Sequence, residues 1–482
     1  MTNDRINEFD AELMSRLQRI LDDRVARQHC PSVVATIFQG NRVLMESGVG
    51  ERTLGAAPPD TQTAYRIASC SKSFTIVTLL LLRDRGLVNL DAPITHYVTE
   101  FTQGAMGRTF DAPSVRMLMS MSGGLPTDDP WADRQESISN ATFSSLVAGG
   151  ALLTTTPGAE FQYSNFGYAL LGQVIERVSG RPFGELVADE VLRPLRLHET
   201  GYERNVVAPE QLAYGYRPGL EGWVELPFAG PGAFSSIGGL FSSARDMRTW
   251  ARWLSSALGD EPDERGPLSV TSRREMQQIV TVIPNASNAA ILPRHAERTF
   301  GYGYGLFVEH DRRLGQFVSH SGGYPGYSSH MRWHVPTGLG VVALENARYS
   351  GAAQTASSLI DEVLDTFDFT LGALEVWPIT RELALAANTL VTRWDDKVAA
   401  RIFEENVALD VPYLERRVLI ERALDDVGGL DATQGPRFHD ERSDSALHLI
   451  WTLAGARGEL TCELRVSPKT PALIQSFNVR TS

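Results

Sequence analysis

A serine and a lysine stand at the start of a strongly apolar run, and this pairing constrains the fold more than any other feature of the sequence. Ser69 and Lys72 are followed by the uncharged stretch 76–82. A helix that is apolar on all its faces has to be buried in a large core. Arg83 and Gly86 then supply a helix stop signal. The sequence therefore predicts a buried helix with a lysine at its polar start.

The spacing of this pair suits nucleophilic catalysis. On a helix, side chains three residues apart lie on one face about one turn apart, so the Lys72 amine can reach the Ser69 hydroxyl. A lysine kept neutral by burial can take the proton of a serine, and the free N–H groups at a helix start favour the negative charge of an acyl-transfer intermediate. Taken alone, the short motif is equally compatible with an exposed polar turn.

The charge of the chain excludes several classes of partner. Its 482 residues carry a formal net charge of -13, with 43% hydrophobic and 21% charged residues. Nucleic acids and anionic membranes are bound by basic surfaces, so neither is an expected partner. A small molecule or short peptide, neutral or cationic, is the expected substrate. The length suits about two to four domains, or one large domain with an appendage, and a homo-oligomer is left open.

The N-terminal residues and the cysteines indicate in which cellular compartment the protein is expected. Residues 1–5 lack the apolar core of a secretory signal, and no stretch approaches the roughly 18 apolar residues of a membrane span. We therefore expect a cytoplasmic protein. The cysteines Cys30, Cys70 and Cys462 are odd in number and far apart, which favours neither a disulfide framework nor a zinc site. Cys70 is expected to be a small buried side chain, and no metal or cofactor is expected.

Periodicity predicts further elements on both sides of the apolar helix. Residues 9–27 have the spacing of an amphipathic helix, and residues 33–38 and 42–47 are predicted to form a hairpin. Far along the chain, one antiparallel sheet is predicted from the strands 302–308, 317–319, 329–335 and 341–345, with a turn at 336–338.

A loop with two carboxylates and a tryptophan follows a glycine-rich turn. Asp128, Asp129 and Trp131 come shortly after Gly123 and Gly124. Because Asp often caps helices, capping or solvent exposure is the interpretation we favour for the acidic pair. The alternative is that this loop lines a pocket, in which Asp129 and Trp131 receive a substrate amine.

A second motif, Y-x-N, precedes a helix predicted over residues 167–178. The phenol of Tyr163 can pass a proton, and the amide of Asn165 can both donate and accept hydrogen bonds. As a lone tripeptide, the motif is better explained by a packed tyrosine and an asparagine that caps the helix.

A third motif, H-x-G, lies between two of the predicted strands. Gly322 and Gly323 let the backbone approach a ligand closely and present an N–H group to it. His320 could orient a hydroxyl, although in isolation an ordinary histidine at a strand end is the better interpretation.

Together, the three motifs resemble the serine beta-lactamase and penicillin-binding-protein superfamily. The specific likeness is to its class C-like branch, which includes CubicO-type serine hydrolases, D-aminopeptidases and beta-lactamase-like carboxylesterases. Residues 121–126, 157–158 and 238–246 also look like that family, although a structural role is expected for the last segment; the likeness extends from about residue 9 to about residue 367. It implies an α+β fold, in which an antiparallel sheet flanked by helices adjoins a helical domain and the site lies in the cleft between them.

The resemblance implies a role for each motif residue. Ser69 would be the acylated nucleophile and Lys72 its proton acceptor. Tyr163 would relay the proton to the leaving group and help to activate the deacylating water. Asn165 would position Lys72 and the substrate amide, while His320 takes the place that a lysine holds in many members.

The oxyanion hole implied by the resemblance consists of the backbone N–H groups of Ser69 and Gly323. The predicted substrate contacts are Gly322, Gly323, Asp129 and Trp131. A mostly neutral His320 offers less charge to a substrate carboxylate than a lysine, so antibiotic hydrolysis is less expected than amide or ester cleavage.

These features predict a metal-independent serine hydrolase that cleaves a small amide or peptide, for which a D-amino-acid substrate is the first choice. A carboxylesterase or acyltransferase with the same nucleophile is the alternative. A non-catalytic penicillin-binding-like protein is the alternative of another class.

The end of the chain falls outside the likeness. Residues 374–482 are predicted to form a small α+β domain of unknown role, after a hydrolase domain over residues 1–373 that carries a helical insertion at about 87–235. In this C-terminal domain, helices are predicted over 382–388 and 397–406, a hairpin over 447–453 and 460–466, and a further strand over 475–479.

Overall fold

The structure of the protein is a computed structural model, in which residues 6, 8–104, 109–129, 131–284, 298–371 and 375–481 are described. The chain divides into two compact units, Thr2–Thr370 and Leu371–Ser482. The domain boundary predicted between residues 373 and 374 lies outside the described residues and stays a prediction.

An antiparallel sheet of eight strands forms the centre of the first unit. The strands of this unit are β1 (Ser32–Gln39), β2 (Arg42–Gly50), β3 (Ala64–Arg66), β4 (Tyr216–Gly219), β5 (Gly222–Glu225), β6 (Phe241–Ser243), β7 (Thr281–Ile283), β8 (Arg298–Tyr302), β9 (Phe307–Asp311), β10 (Gly315–Tyr324), β11 (Tyr327–His334) and β12 (Leu339–Glu345). The sheet order is β2-β1-β12-β11-β10-β9-β8-β7, so both ends of the unit build one sheet. The predicted α+β fold class is thereby confirmed.

Three helices of this unit, those that begin at Ala11, Ser71 and Asn165, lie close to the positions predicted from the sequence. The helices of this unit are α1 (Ala11–Ala26), α2 (Ser71–Asp84), α3 (Val115–Met119), α4 (Asn140–Ala148), α5 (Asn165–Ser179), α6 (Phe183–Val187), α7 (Ser235–Gly238), α8 (Ala244–Ser256), α9 (Val270–Met276) and α10 (Ala352–Thr366). Asp10 caps α1 by accepting the Leu13 N–H at 2.7 Å. The predicted stop after α2 is confirmed, because Gly86 adopts a φ of +75° just beyond its end.

Helices cover both faces of the sheet. On one face, α1 and α10 share a buried cluster with β1 and β12, which includes Leu17 and Leu359. On the other face, a larger cluster runs from Met331 of β11 through α2 to α5. The stacked rings of Phe74 and Trp250, 3.7 Å apart, fix α2 against α8. The apolar helix α2 therefore lies between the sheet and the helical part of this unit.

Two strand predictions in the sheet are wrong. The segment 302–308 is not one strand, because Tyr302 ends β8 and Phe307 begins β9. Gly305 between them has a φ of +71°, which a tight turn requires and a strand does not allow. The H-x-G motif does not lie between strands either. The turn that follows it is Pro325 and Gly326, so β10 continues through His320 to Tyr324.

The second unit consists of four helices and a four-stranded sheet among its described residues. These elements are α11 (Pro378–Thr392), α12 (Asp396–Ile402), α13 (Glu405–Asp410), α14 (Tyr413–Asp426), β13 (Arg437–Phe438), β14 (His448–Gly455), β15 (Gly458–Val466) and β16 (Ile474–Thr481). The predicted hairpin and last strand correspond to β14, β15 and β16.

The helix predicted over residues 397–406 is wrong in one respect, since it is interrupted. Phe403 has an extended backbone, is 3% exposed and forms a β-bridge with Ile474, which separates α12 from α13. The helix α14 was not predicted, because Leu414 and Leu419 on this helix are exposed and obscure its amphipathic pattern.

Within the described ranges, no helix combines the length and the apolar character needed to cross a membrane. Cys30, Cys70 and Cys462 are free thiols and all are buried, as expected for Cys70. The cytoplasmic location stays a prediction.

Candidate active site

Ser69 lies in a tight turn at the start of α2. One turn of 3-10 helix, Ala68–Cys70, runs directly into α2, and Ser69 is 8% exposed. Ala68 has a φ of +48°, which is uncommon for a residue with a side chain and persists only where surrounding contacts fix it. One such contact is with β10, since a Cβ atom on Gly322 would overlap the carbonyl oxygen of Ile67. The turn is therefore held against the sheet.

The segment 237–241 braces the other side of this turn. The Ile67 N–H donates to the Leu240 carbonyl oxygen at 3.0 Å, and the Leu240 N–H donates to the Ser71 hydroxyl at 3.3 Å. The strand β3 also pairs with β6 immediately after this segment. The glycine-rich segment that was expected to be structural thus fixes the backbone on which Ser69 stands.

Lys72 is buried and directed at Ser69. Its Nζ donates to Ser69 Oγ at 3.0 Å and to the Ile237 carbonyl oxygen at 2.8 Å. Burial lowers the pKa of Lys72 to about 8, although the carboxylates of Asp129 and Asp133 act in the opposite direction. An appreciable fraction of this amine is therefore neutral close to neutral pH, which is the form that can accept a proton.

Tyr163 lies on the other side of the same pair. Lys72 Nζ lies 5.0 Å from the centre of its ring, and the Ser69 hydroxyl is near enough to the phenol to lower its pKa. Burial and the charge of Asp129 raise the pKa of Tyr163 well above its usual value. The phenol is therefore protonated at neutral pH and can donate its proton.

Asn165 was expected to contact Lys72, but its side chain contacts Asp129 instead. Its side-chain Nδ2 donates to Asp129, whereas the hydrogen bonds found for Lys72 among the described residues go to Ser69 and Ile237. Asn165 Oδ1 is buried and has no hydrogen-bond partner among those residues. This amide oxygen is thus an acceptor with capacity left for a donor N–H or ammonium group.

The two neighbouring carboxylates do different things. Asp128 accepts the backbone N–H groups of Asn165 and Phe166, at 2.8 Å and 2.7 Å, which supports the start of α5 as the capping interpretation predicts. Asp129 is exposed and contacts Asn165. The capping interpretation therefore holds for Asp128, while Asp129 belongs to the surroundings of the site.

His320 is buried in β10 with both ring nitrogens occupied. Nδ1 lies 2.6 Å from the Ser321 carbonyl oxygen, and Nε2 lies 3.0 Å from the Tyr302 hydroxyl. Because a carbonyl only accepts, the proton is on Nδ1, and Tyr302 donates to Nε2. Burial and the nearby Lys72 lower the pKa of His320 to about 3, so the ring is neutral at neutral pH. His320 is placed to orient the edge of β10 rather than to carry charge.

Gly323 presents its N–H group at an edge of β10 that β11 does not use. The pair Tyr324 and Tyr327 closes the hairpin, so residues of β10 alternate between bonding β11 and pointing away from it. The N–H group of Gly323 points away from β11. On that side of β10, β9 pairs only up to Ser319. Since Gly322 packs against Ile67, this free edge lies beside the turn of Ser69.

Trp131 lies beside Phe234 and is partly exposed. Its ring packs edge-on against Phe234 at 5.8 Å and is 46% exposed. A substrate contact by Trp131 stays a prediction.

A buried ion pair ties the helical part to the sheet next to the site. Arg66 Nη1 lies 2.6 Å from Glu136 Oε1, and both side chains are 1% exposed. Glu136 also accepts the hydroxyl of Tyr324 at the end of β10, while Arg66 donates to the Gly239 carbonyl oxygen at 2.9 Å. Because each charge has several partners, the pair can be accommodated in the core.

Several residues of the site were missed by the sequence analysis. The contribution of Ile237 is a backbone carbonyl, which no side-chain pattern reveals. Tyr302 lies in a segment that the analysis assigned to one continuous strand. Asp133 and Tyr349, whose side chains are hydrogen-bonded at 2.6 Å, belong to no motif, and only their distant pairing in the fold brings them to the cleft.

Residues 17–365 match the Beta-lactamase family. The chain belongs to this family. The resemblance to the serine beta-lactamase and penicillin-binding-protein superfamily is thereby confirmed. Among curated members, Protein flp of Staphylococcus aureus (strain MW2) is 24% identical over 359 residues, which are 72% of this chain and 64% of that protein. The chain thus spans less than two thirds of the length of this relative.

Solved structures related to this Beta-lactamase family chain share its fold. An octameric penicillin-binding protein homologue from Pyrococcus abyssi is 21% identical, with a TM-score of 0.61, and covers 97% of this chain and 99% of its own. EstCE1, a hydrolase with promiscuous acyltransferase activity, is 22% identical, with a TM-score of 0.59 and coverage of 73% and 98%. A D-stereospecific amidohydrolase from Streptomyces sp. is 24% identical, with a TM-score of 0.57 and coverage of 71% and 97%.

Proposed function

We propose that this protein is a serine hydrolase that cleaves a small amide or peptide, with D-amino-acid derivatives as the first candidates, through an acyl-enzyme on Ser69. The observation that carries the proposal is the position of the Lys72 amine, 3.0 Å from Ser69 Oγ. Burial around it lowers the pKa of Lys72 to about 8. A neutral amine at this distance is well placed to take the hydroxyl proton.

Acylation follows from these positions. Ser69 Oγ attacks the substrate carbonyl carbon and passes its proton to Lys72. The oxyanion that forms accepts hydrogen bonds from the backbone N–H groups of Ser69 and Gly323. These donors are already in position, so they stabilise the negative charge without rearrangement. The C–N bond then breaks, and Tyr163 donates its proton to the leaving nitrogen while it takes the proton held by Lys72.

Deacylation uses the same groups in reverse. A water molecule loses a proton to the Tyr163 and Lys72 pair and attacks the ester carbonyl of the acyl-enzyme. The Ser69 oxygen leaves and regains the proton, so the enzyme returns to its first state. An amine or alcohol that replaces the water in this step would give acyl transfer.

Two features support an amide substrate without a carboxylate next to the reacting bond. A leaving amine has to be protonated, and the phenol of Tyr163 carries a proton at neutral pH. Burial lowers the pKa of His320 to about 3, so this residue offers no positive charge for a carboxylate. The fold likeness to a D-stereospecific amidohydrolase supports the choice of D-amino-acid derivatives as first substrates.

The test combines active-site labelling with turnover. Wild-type protein and Ser69→Ala are incubated with a fluorophosphonate, and the intact mass is measured; D-alanine p-nitroanilide and p-nitrophenyl acetate are then assayed. Ser73→Ala is the matched control, because its hydroxyl is also buried but bonds the Cys70 carbonyl oxygen and the Trp250 indole N–H. We expect one adduct and nitroaniline release in wild type and in the control, and neither in Ser69→Ala.

Other outcomes would change the proposal in defined ways. Turnover of the ester alone would favour a carboxylesterase or acyltransferase; the related structure EstCE1 is a hydrolase with promiscuous acyltransferase activity. A stable adduct without turnover of either substrate would favour a penicillin-binding protein that does not hydrolyse. The absence of any adduct on Ser69 would contradict the proposal.

A further inference from the structure

Tyr349 occupies a strained position at the edge of the cleft. It follows β12 and has a φ of +47°, a conformation that a bulky side chain rarely adopts. Its ring is nevertheless 47% exposed, so the core does not force the conformation. Backbone strain of this kind persists where specific contacts fix the residue, and often at functional sites.

The ring of Tyr349 lies directly on Gly323. A Cβ atom built on Gly323 would overlap the ring atoms Cδ1 and Cε1 of Tyr349. Only a glycine permits this approach. Because the N–H group of Gly323 is the proposed oxyanion donor, the ring lies next to the residue that would bind the reacting carbonyl group.

The hydroxyl of Tyr349 reaches the opposite wall of the cleft. It donates to Asp133 Oδ2 at 2.6 Å, and Asp133 is 5% exposed in the short 3-10 helix Ala132–Arg134. Burial raises the pKa of Asp133 to about 6 and also raises the pKa of Tyr349, so the phenol is the donor at neutral pH. The side chain therefore spans from the sheet to the helical part.

The order of His320 and Gly323 along β10 indicates which end of a substrate lies next to the Tyr349 ring. Tyr163, the proposed proton donor to the leaving group, lies near His320, with their ring centres 6.3 Å apart. Gly323 lies three residues further along the strand. A carbonyl group bound at the free edge of β10 therefore has its leaving group at the His320 end and its acyl group at the Gly323 end, beside Tyr349.

We propose that Tyr349 is a specificity-determining residue, whose ring, tethered to Asp133, forms the wall that limits the size of the acyl group. This inference rests on the proposed serine hydrolase function. The ring sets the limit by its volume, and the hydrogen bond to Asp133 keeps it from swinging away from Gly323. Small acyl groups, such as acetyl or alanyl, fit between this wall and Ser69, whereas long acyl chains do not.

A chain-length series tests this wall. The ratio of kcat/KM for p-nitrophenyl octanoate to that for p-nitrophenyl acetate is measured in wild type, Tyr349→Ala and Tyr349→Phe. We expect the ratio to rise about tenfold or more in Tyr349→Ala, since removing a steric wall changes discrimination by this amount, and to stay closer to wild type in Tyr349→Phe, which keeps the ring. An unchanged ratio in Tyr349→Ala, or an equal rise in Tyr349→Phe, would overturn the proposal.

Two controls keep this result separate from the general function. Tyr97→Ala removes another partly buried tyrosine, whose hydroxyl accepts the Asn89 N–H at 2.7 Å, and should leave the ratio unchanged. Fluorophosphonate labelling of Ser69 is measured in every variant. If wild type is labelled but turns over neither ester, the ratio is taken from the labelling rates of octyl and methyl fluorophosphonates. Labelling with an unchanged ratio overturns only the role of Tyr349, whereas no labelling of wild type overturns the hydrolase function and this inference together.

Discussion

The amino group of Lys72 lies 3.0 Å from the hydroxyl oxygen of Ser69, and the Ile237 carbonyl oxygen holds it there from the other side at 2.8 Å. The proposed base is thus fixed by one side chain and one backbone group. Because both groups are buried, a solvent molecule is a poor substitute for the amine.

Removal of this base should slow acylation strongly. We expect Lys72→Ala to reduce the rate of fluorophosphonate labelling about a hundredfold to ten-thousandfold, the range that a positioned general base contributes. The rate is measured by intact mass after timed quenching. Lys397→Ala, in which an exposed lysine of the second unit is removed, should behave as wild type. Labelling of Lys72→Ala at the wild-type rate would contradict the assigned role.

The pH dependence of acylation should follow the neutral amine. Burial lowers the pKa of Lys72 to about 8, and only the deprotonated form accepts a proton, so the rate should rise with pH and level off above that value. Below it, the rate should fall about tenfold for each pH unit. The labelling rate measured from about pH 6 to about pH 10 tests this profile.

The carboxylate of Asp129 should move the pH profile of the labelling rate to higher pH. The charge of Asp129 raises the pKa of Lys72, so Asp129→Asn should lower that pKa and move the midpoint of the profile to lower pH. Asp22→Asn on the exposed side of α1 serves as the control. A midpoint that moves to higher pH in Asp129→Asn would show that another group controls the rate.

The contact between Gly322 and Ile67 should be essential for the position of Ser69. A Cβ atom at Gly322 would overlap the Ile67 carbonyl oxygen and the Ser329 hydroxyl, so Gly322→Ala has to displace the turn from β10. We expect labelling of Ser69 to fall at least about tenfold, since small misplacements of reacting groups are costly. In Gly230→Ala the added Cβ meets no atom within 4 Å, and this control should label normally.

The ion pair between Arg66 and Glu136 should contribute to stability rather than to chemistry. Glu136→Ala leaves a buried guanidinium without its carboxylate, so the free energy of unfolding should decrease by about 3–5 kcal/mol. Thermal or urea unfolding of the purified protein measures this loss. The double variant Arg66→Met, Glu136→Leu should lose less than Glu136→Ala, because it removes both charges. A larger loss in the double variant would contradict this account.

Tyr302 should stabilise the fold through its hydrogen bond to His320. Tyr302→Phe removes the donor to Nε2 and leaves a buried ring nitrogen without a partner, which should cost about 1–3 kcal/mol of unfolding free energy. Unfolding in urea measures this cost, with Tyr97→Phe as the control for loss of a more exposed hydroxyl. An unchanged stability would mean that Nε2 finds another donor.

Those parts of the structure that depend on local pattern could be predicted. The uniform apolar character of α2, the helical spacing of α1 and the alternation of β14 and β15 are each encoded within one segment. The three motifs around Ser69, Tyr163 and His320 were recognisable only in combination, because their residue types, order and spacing together match one family.

Features that depend on distant contacts could not be predicted. The break between α12 and α13 depends on the bridge between Phe403 and Ile474, which are far apart in sequence. His320 was expected either to orient a hydroxyl or to be an ordinary histidine at a strand end, and its actual partners, Tyr302 and the Ser321 carbonyl oxygen, could not be named. Neither partner is visible in the motif itself.

The strand order of the main sheet also determines when this protein can become active during its synthesis. The strand β1 pairs with β12, and Ser69 precedes His320 by 251 residues. At ribosomal rates, this separation corresponds to about ten to fifty seconds in which the nucleophile exists without the strand that completes its site. Throughout that interval, the edge of β1 that pairs with β12 has no partner, and α2 lacks the late strands of the sheet against which it packs. The nascent chain is therefore inactive and dependent on protection from aggregation until the last strand of the sheet has left the ribosome.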